Sequence, residues 1–395
     1  MEALQNYQLK QLKILVKHAY ETVPYYKQKW DELGITSSHI QTLKDLEKLP
    51  VLTKKELLAN VNYLHSSKEF KKQFNAVTSG TSGDSLKFLR EESADSFNRA
   101  SIKRGYSWYG VQPWEYNGYF WGFNFSGLSQ VKTKLLDVLQ NRFRLFSYEN
   151  DNLKTFCKKL QKASYVHGYS SMIYQTAKMI LEKDLPKPTK LKMVKGTSEK
   201  IYESYRDTVV KAFGKPIISE YGATESGIIA FECPYGNMHI NMEGVIVEEI
   251  ENRIVITNLS LFKFPIIRYE LGDYIELLDT SELCTCGMKH TILKEVTGRI
   301  GEAVRGVENE YPSLYFYYIF KNLATHNKLK LTYYIEQHKK GELLFYIEEE
   351  ITTNQVKLLE KEIDKYFKGD VVYFIEKGNG ESKRNGKIKS FKSYI

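Results

Sequence analysis

The run Val77-Thr78-Ser79-Gly80-Thr81-Ser82-Gly83-Asp84-Ser85 sets two glycines among hydroxyl side chains, directly after the β-prone Phe74 to Val77. Backbone N–H groups exposed by glycine, with Ser and Thr hydroxyls beside them, suit a loop that wraps a phosphate. The same composition also makes an ordinary surface turn. It is not a Walker A loop, because Gly83 is followed by Asp84 and not by Lys-Ser or Lys-Thr.

A second run, Ser219-Glu220-Tyr221-Gly222-Ala223-Thr224-Glu225, offers an aromatic face for a purine and a glycine that lets backbone come close. Its Thr beside a carboxylate supplies hard oxygen ligands for magnesium, though a plain strand ending in a turn reads the same way. In Arg268-Tyr269-Glu270-Leu271-Gly272-Asp273 the last carboxylate can accept from both hydroxyls of a ribose, and Arg299 of Thr297-Gly298-Arg299 can reach a phosphate or ribose oxygen. Near the end, Asn385-Gly386-Lys387-Ile388 places a point charge where an α-phosphate could gather negative charge.

The cysteines form a separate constellation. Cys233-Pro234 is followed by His239, and Cys284-Thr285-Cys286-Gly287 by His290, while Cys157 stands alone in a Lys-rich helical stretch. Three thiolates and one imidazole make a tetrahedral zinc set of Cys233, His239, Cys284 and Cys286, with His290 as the replacement for His239. The competing reading is a group of free, buried side chains. A closed site with four protein ligands leaves no position for water, so its zinc would be structural.

These residues need a scaffold larger than one core. The chain has 395 residues, 42% hydrophobic and 27% charged, which excludes disorder and predicts a large domain with at least one smaller one. No stretch of eighteen apolar residues and no N-terminal apolar segment occurs, so the expectation is a cytoplasmic protein without a membrane span. The balance of 57 Lys and Arg against 48 Asp and Glu gives +9, spread along the chain as a solvated surface would be, and no nucleic-acid partner is expected.

Leu12, Leu15, Val16 and Ala19 predict a helix ended by Val23-Pro24, and Thr53 with Glu56 predicts a capping box. To about residue 230, β-rich runs such as Gly118 to Trp121 alternate with helical stretches such as 169 to 183, which favours an α/β core. From 244, Val245 and Val247, a turn at Glu251-Asn252 and Ile254 to Ile256 predict a β-rich subdomain over about 230–297. Beyond Arg299 come a helix started by Pro312, strands near 328–336 and 342–348, a helix carrying Val356, Leu359, Ile363 and Tyr366, and a last strand at Val371 to Ile375. The expected class is α/β: a large domain over 1–298 and a small, mobile α+β domain over 299–395.

Taken in order, TSGTSG, YGATE, RYELGD, GR and a terminal NGK resemble the nucleotide-binding motifs of the acyl-CoA synthetase, adenylation-domain and luciferase superfamily. The phenylacetate-CoA ligase branch fits best. Within it, His18 to Tyr26 and Gly196-Thr197-Ser198-Glu199-Lys200 resemble the short members associated with capsular-polysaccharide genes.

The resemblance implies an ATP-dependent ligase that turns a small carboxylic acid into an acyl-AMP, releases pyrophosphate, and passes the acyl group to a thiol (CoA or a carrier protein) or to an amine, such as one on a surface polysaccharide. It implies that Thr78, Ser79, Gly80, Thr81, Ser82 and Gly83 hold the β- and γ-phosphates of ATP, that Tyr221 with Glu220 and Gly222 receives adenine, and that Glu225 holds magnesium with Thr224 near the α-phosphate. Asp273 would bind ribose, Arg299 would open the hinge, and Lys387 would drive adenylation from a rotating C-terminal domain. The acid pocket would be lined by Trp121, Phe123 and Phe125, by His167, Gly168 and Tyr169, and by Gly196 and Thr197. Aromatics at alternating positions are more often core than pocket lining, and His167 reads equally as a hydrogen-bonded structural histidine. Some members of the branch carry a structural zinc in a similar arrangement.

Two departures stand out. Ile300-Gly301-Glu302 replaces the usual pair of Asp residues after the Gly-Arg, and Arg305-Gly306-Val307-Glu308-Asn309 matches the family's Arg-Gly-Val-Asn loosely, which bears on CoA as the acceptor. Two rival readings are a P-loop hydrolase or kinase, which lacks its lysine motif, and a basic nucleic-acid-binding protein, which leaves the ordered motifs unexplained.

Overall fold

A computed structural model describes residues 1–78, 86–120, 127–145, 150–278, 284–299, 303–378 and 390–395, with backbone alone at 127–130, 150, 297–299, 312, 314 and 317. The chain forms two compact units, each assembled from two stretches of sequence: Met1–Trp108 with Tyr221–Val296, and Tyr109–Glu220 with Thr297–Ile395.

In the first unit, Leu12, Leu15, Val16 and Ala19 are all buried on the helix Glu2–Thr22. Val23 is extended (φ −114°, ψ 108°), as a residue before proline prefers. Pro24 therefore does more than end one helix; it opens the next, Pro24–Glu32, where its missing N–H costs nothing. The capping box at Thr53 forms as expected, its side chain accepting from the Glu56 N–H at 3.2 Å while Glu56 accepts from the Thr53 N–H at 3.2 Å.

The unit's β-structure is antiparallel. Val245–Ile250 pairs with Arg253–Asn258 across the turn at Glu251 and Asn252, both at positive φ (50° and 62°), and Arg253–Asn258 pairs with Tyr269–Leu277. Ile292–Arg299, Met238–Ile240 and Gly227–Glu232 continue the series. Its core joins Leu12, Leu15 and Trp30 to Phe264, Ile266 and Tyr269.

Arg268 ties these parts together. Its guanidinium donates to both Glu248 oxygens at 2.8–3.1 Å, to the Glu47 carbonyl at 3.0 Å and to the Leu49 carbonyl. The residue is 6% exposed and takes a left-handed φ of 47°, rare outside glycine, which the five contacts maintain. Its own backbone carbonyl accepts from Leu52 N–H at 2.8 Å.

In the second unit, Arg142–Arg144, Asn117–Phe120, Tyr165–Tyr169, Met193–Thr197 and Ile217–Ala223 run parallel in that order, with the last strand leaving the unit after Glu220. The intervening helices Asn150–Leu160, Ser170–Glu182 and Glu203–Phe213 give the βα alternation read from the sequence. The C-terminal part adds a four-stranded sheet ordered Val372–Lys377, Glu342–Ile347, Tyr333–Lys339 and Phe391–Ser393, with helices Leu314–Asn327 and Thr353–Phe367. The expected α/β class is what the chain adopts.

Three local expectations are corrected. Pro312 closes the short strand Glu310–Pro312, and the helix starts at Leu314. The strand expected near 328 begins at Tyr333, because Lys328 is the left-handed cap of the preceding helix (φ 54°). The strand expected to be last is followed by Phe391–Ser393, which pairs in parallel with Tyr333–Lys339. A three-residue strand held by distant partners carries too little pattern to be seen locally.

Removing the central tie should be costly. Arg268→Met is expected to destabilise the protein by about 3 kcal/mol in urea unfolding, since it leaves a half-buried Glu248 and two carbonyls without their donor. An unchanged midpoint would show that Arg268 is dispensable.

Candidate functional site

The two strands around the Ser/Thr/Gly run form a hairpin, Gln73–Val77 against Lys87–Glu91. Thr78 closes its end: the Thr78 N–H donates to Leu86 O at 2.9 Å, and Leu86 N–H donates back to Thr78 Oγ1 at 2.9 Å. Ser79, Gly80, Thr81, Ser82 and Gly83 lie outside the described residues. The base of the hairpin is fixed by Glu91, 1% exposed, whose carboxylate accepts from the Phe262 and Lys263 N–H groups at 2.7 and 3.0 Å.

Arg90 of this hairpin shares a cleft with Thr224, Ser226, Asn98, Asn258 and Ser260. The loop carrying Thr224 and Glu225 is pinned there through its backbone. Asn258 Nδ2 donates to Glu225 O at 3.1 Å; Ile228 N–H donates to Asn98 Oδ1 at 2.9 Å; and Asn241 Nδ2 donates to Ile228 O at 3.2 Å. Ser226 Oγ accepts from Ala223 N–H at 3.2 Å, and Arg104 fixes Asn241 Oδ1 at 2.7 Å. Gly222 is required by this turn, because a Cβ there would lie 2.5 Å from Gly227 O. Asn98, Asn241 and Asn258 escaped the sequence reading. A polar amide inside apolar runs such as Ile254 to Asn258 is their one signal, since a buried Asn must spend its amide on partners.

Tyr221 and Asp273 meet directly: the phenol donates to Asp273 Oδ2 at 2.7 Å, and the carboxylate is 7% exposed. The first unit thus holds Thr78, Tyr221, Gly222, Thr224, Glu225 and Asp273, and among them it joins Tyr221 directly to Asp273. Arg268, in the same run as Asp273, serves the scaffold.

The remaining expected residues sit in the second unit. Glu220 is paired with Lys195 at 2.6 Å, both buried. His167 stacks obliquely on Tyr119 and Tyr165, with centroids at 4.7 and 5.5 Å. Burial, then the Lys195, Arg142 and Arg144 cations, drive its pKa well below the usual imidazole value, so it is neutral at pH 7. Gly168 has φ 138° and lies so close to Phe120 O that a Cβ would sit 2.0 Å away. Tyr169, Gly196 and Thr197 follow on adjacent strands, paired Gly168 to Gly196 and Tyr169 to Thr197. Trp121, Phe123, Phe125 and Lys387 lie outside the described residues, and Arg299 ends the strand Ile292–Arg299 with its side chain undescribed.

The thiols form a second centre in the first unit. The ligand atoms of Cys233, His239, Cys284 and Cys286 all lie within 4.8 Å of one another. Cys233 Sγ and Cys284 Sγ are 3.8 Å apart, too far for a disulfide, and Cys286 Sγ is 3.2 Å from His239 Nε2. Sulfur ligands at about 2.3 Å from a tetrahedral cation are separated by roughly 3.8 Å, so the donor set fits one. His290 is not part of it. Its Nε2 contacts both Glu243 oxygens at 3.2 Å, and although burial opposes ionisation of Glu243, hydrogen bonds from His290 and Arg104 hold that carboxyl down at about 2.

No protein-family model matches the chain. Protein CapK of Staphylococcus aureus is 24% identical over 260 residues, 60% of this chain, which spans 55% of that protein's length. Phenylacetate-coenzyme A ligase of Thermus thermophilus is 23% identical over 358 residues, 79% of this chain and 74% of the ligase. Among solved structures, 2-hydroxyisobutyryl-CoA ligase in the postadenylation state with 2-HIB-AMP superposes with a TM-score of 0.73 at 17% identity, over 98% of this chain and 88% of that one. Amide bond synthetase McbA from Marinactinospora thermotolerans gives 0.51 at 13% identity, over 77% and 65% of the two chains. In sequence the chain is thus similar to Protein CapK and to a phenylacetate-coenzyme A ligase, and in fold to 2-hydroxyisobutyryl-CoA ligase.

Proposed function

We propose that this protein activates a small carboxylic acid with ATP, forming an acyl-AMP and pyrophosphate, and then transfers the acyl group to a thiol or an amine. The contact of Tyr221 with Asp273 carries this reading, because it makes one surface from an aromatic face and a carboxylate that can take adenine and ribose together. Proteins of similar fold include a ligase bound to an acyl-AMP and an amide bond synthetase, so the fold accommodates either acceptor.

The chemistry is a displacement at phosphorus. An oxygen of the acid attacks the α-phosphorus as the bond to pyrophosphate breaks, and no acid-base residue is needed. The chain's task is positioning: the Thr78 hairpin holds the β- and γ-phosphates, Asp273 orients the ribose, and the pinned loop keeps Thr224 at the α-phosphate. Glu225 would hold magnesium, which when bound neutralises phosphate charge. Its carboxylate rides on a carbonyl fixed by Asn258, so the loop is rigid where an ion would need it.

In this reading residues 1–298 form the main domain and 299–395 a lid that brings Lys387 to the α-phosphate in the cytoplasm. Within the second unit such a lid touches residues of the main domain, Ser204 Oγ lying 2.6 Å from Thr332 Oγ1 and the Tyr202 ring 5.4 Å from that of Tyr333. Rotation would have to release them. Zinc on Cys233, His239, Cys284 and Cys286 would pin the β-rich region without a catalytic role.

Pyrophosphate release tests the activity: it should require both ATP and an added acid, and Lys387→Ala should lower it about 100-fold or more with ATP binding kept. Release without acid, or an unaltered rate in the variant, contradicts the reading. For the thiol centre, elemental analysis should find one zinc per chain, lost in Cys284→Ser together with several degrees of melting temperature. Metal-free protein of undiminished stability would leave the thiols simply buried.

A further inference from the structure

The cleft between the Thr78 hairpin and the Thr224 loop, wholly within the first unit, carries an unbalanced charge. Among the described residues that line it, Arg90 is the one that is charged, and no carboxylate faces it there. Arg90 Nη2 donates to Asp95 Oδ1 at 3.0 Å, but that carboxylate also serves Arg99, whose Nε donates to Oδ2 at 2.7 Å. Two guanidinium groups thus share one carboxylate, and a positive charge is left over. Arg90 Nε is buried and meets no acceptor among the described residues. A buried donor without an acceptor is costly, and the arrival of an anion relieves that cost.

The neutral groups of the cleft divide by what they have already given. Asn258 spends its amide on Glu225 O, and its oxygen accepts from both the N–H and the Oγ of Ser260 at 2.9 Å. Ser226 Oγ accepts from Ala223 N–H and donates to Gly227 O at 3.1 Å. Asn98 has given its oxygen to Ile228 N–H, so its remaining offer is an NH2 group, and Thr224 adds a hydroxyl. What is left is a set of donors: guanidinium, amide and hydroxyl. They border a space whose depth admits roughly one water-sized group and whose mouth is open. Such a set suits the oxygen of an anion.

We infer that the cleft takes a phosphate oxygen, of bound ATP or of the pyrophosphate released from it, and that Arg90 is the residue that holds it. The assignment rests on the adenylation reading, which puts Thr224 at the α-phosphate and the hairpin that carries Arg90 at the β- and γ-phosphates. As an oxygen of the acid bonds to the α-phosphorus, the bond from that phosphorus to the bridging oxygen breaks, and its electron pair passes to pyrophosphate. A guanidinium already fixed beside the leaving group meets the added charge without reorganising, and no proton has to move. Arg90 stands outside the TSGTSG run, so a contact of this kind is specific to this chain's own hairpin.

Calorimetric titration of the full chain with sodium pyrophosphate and, separately, with ATP tests the contact without any acid present. Arg90→Met should weaken pyrophosphate binding about ten-fold, and Arg90→Lys should recover part of the loss. An equal loss for ATP assigns the cleft to the phosphates in place, and a loss for pyrophosphate alone assigns it to the leaving group. Asp95→Asn breaks the same ion pair but keeps the guanidinium, so it should bind pyrophosphate at least as well as the unaltered chain. Exchange of labelled pyrophosphate into ATP, run with a panel of aryl, hydroxy and amino acids, should show a raised KM for pyrophosphate in Arg90→Met and the same KM for the acid. Pyrophosphate that does not bind the unaltered chain, or binds Arg90→Met equally well, overturns the inference. So does an equal loss in Asp95→Asn, which makes Arg90 a scaffold residue, or a rise confined to the KM for the acid, which gives Arg90 to the substrate carboxylate. Arg90-dependent pyrophosphate binding without exchange for any acid supports the phosphate site and contradicts the adenylation reading, so the two fail separately.

Discussion

A phenol hydroxyl donating to a carboxylate at 2.7 Å, Tyr221 to Asp273, joins two stretches of chain that lie 52 residues apart. A nearly buried carboxyl group needs hydrogen-bond partners, and each one it keeps fixes where its remaining lone pairs point. The loop after Tyr221 is then held by amides from Asn98, Asn241 and Asn258, which arrive from three separate segments. Rigidity at Thr224 and Glu225 therefore comes from outside the motif. A site meant to stabilise charge on a phosphate gains from this, because dipoles already in place cost no reorganisation during the reaction.

The same economy appears in the scaffold. Arg268 serves Glu248 and the carbonyls of Glu47 and Leu49 with one side chain, so the N-terminal segment and the antiparallel strands share a tie. The thiol centre occupies another end of that β-structure, where Cys233 follows the strand Gly227–Glu232 and Cys284 precedes Ile292–Arg299. A cation there would link two chain ends that otherwise meet through few apolar contacts, Ile292 among them.

Legibility in the sequence followed the range of the interactions. Helices with a full apolar face, such as Glu2–Thr22, and the capping box at Thr53 were readable because their signals are local. The antiparallel turn at Glu251-Asn252 was readable for the same reason. Phe391–Ser393 was not, since its strand character depends on Ile335 more than fifty residues earlier. Within the site, the thiol donors and the His239 imidazole are legible by type and spacing, while setting aside His290 as a replacement needs the Glu243 and Arg104 contacts of three dimensions. Glu220 shows the converse. Its place in the motif suggests a ligand contact, yet its carboxylate is taken by Lys195, a buried cation whose place among Met193, Val194 and Gly196 gave no warning of a partner. Arg268 likewise belongs to a nucleotide motif by position and to the scaffold by contact.

Everything functional assigned to the first unit requires one nucleotide to lie across Tyr221 and Asp273. A crystal structure of the protein with a non-hydrolysable α,β-methylene analogue of ATP measures this directly. The account predicts adenine against the Tyr221 ring, ribose hydroxyls on Asp273 and the phosphates running past Thr224 toward the Thr78 hairpin. Nucleotide density away from Tyr221 and Asp273, with their hydrogen bond undisturbed, would contradict it.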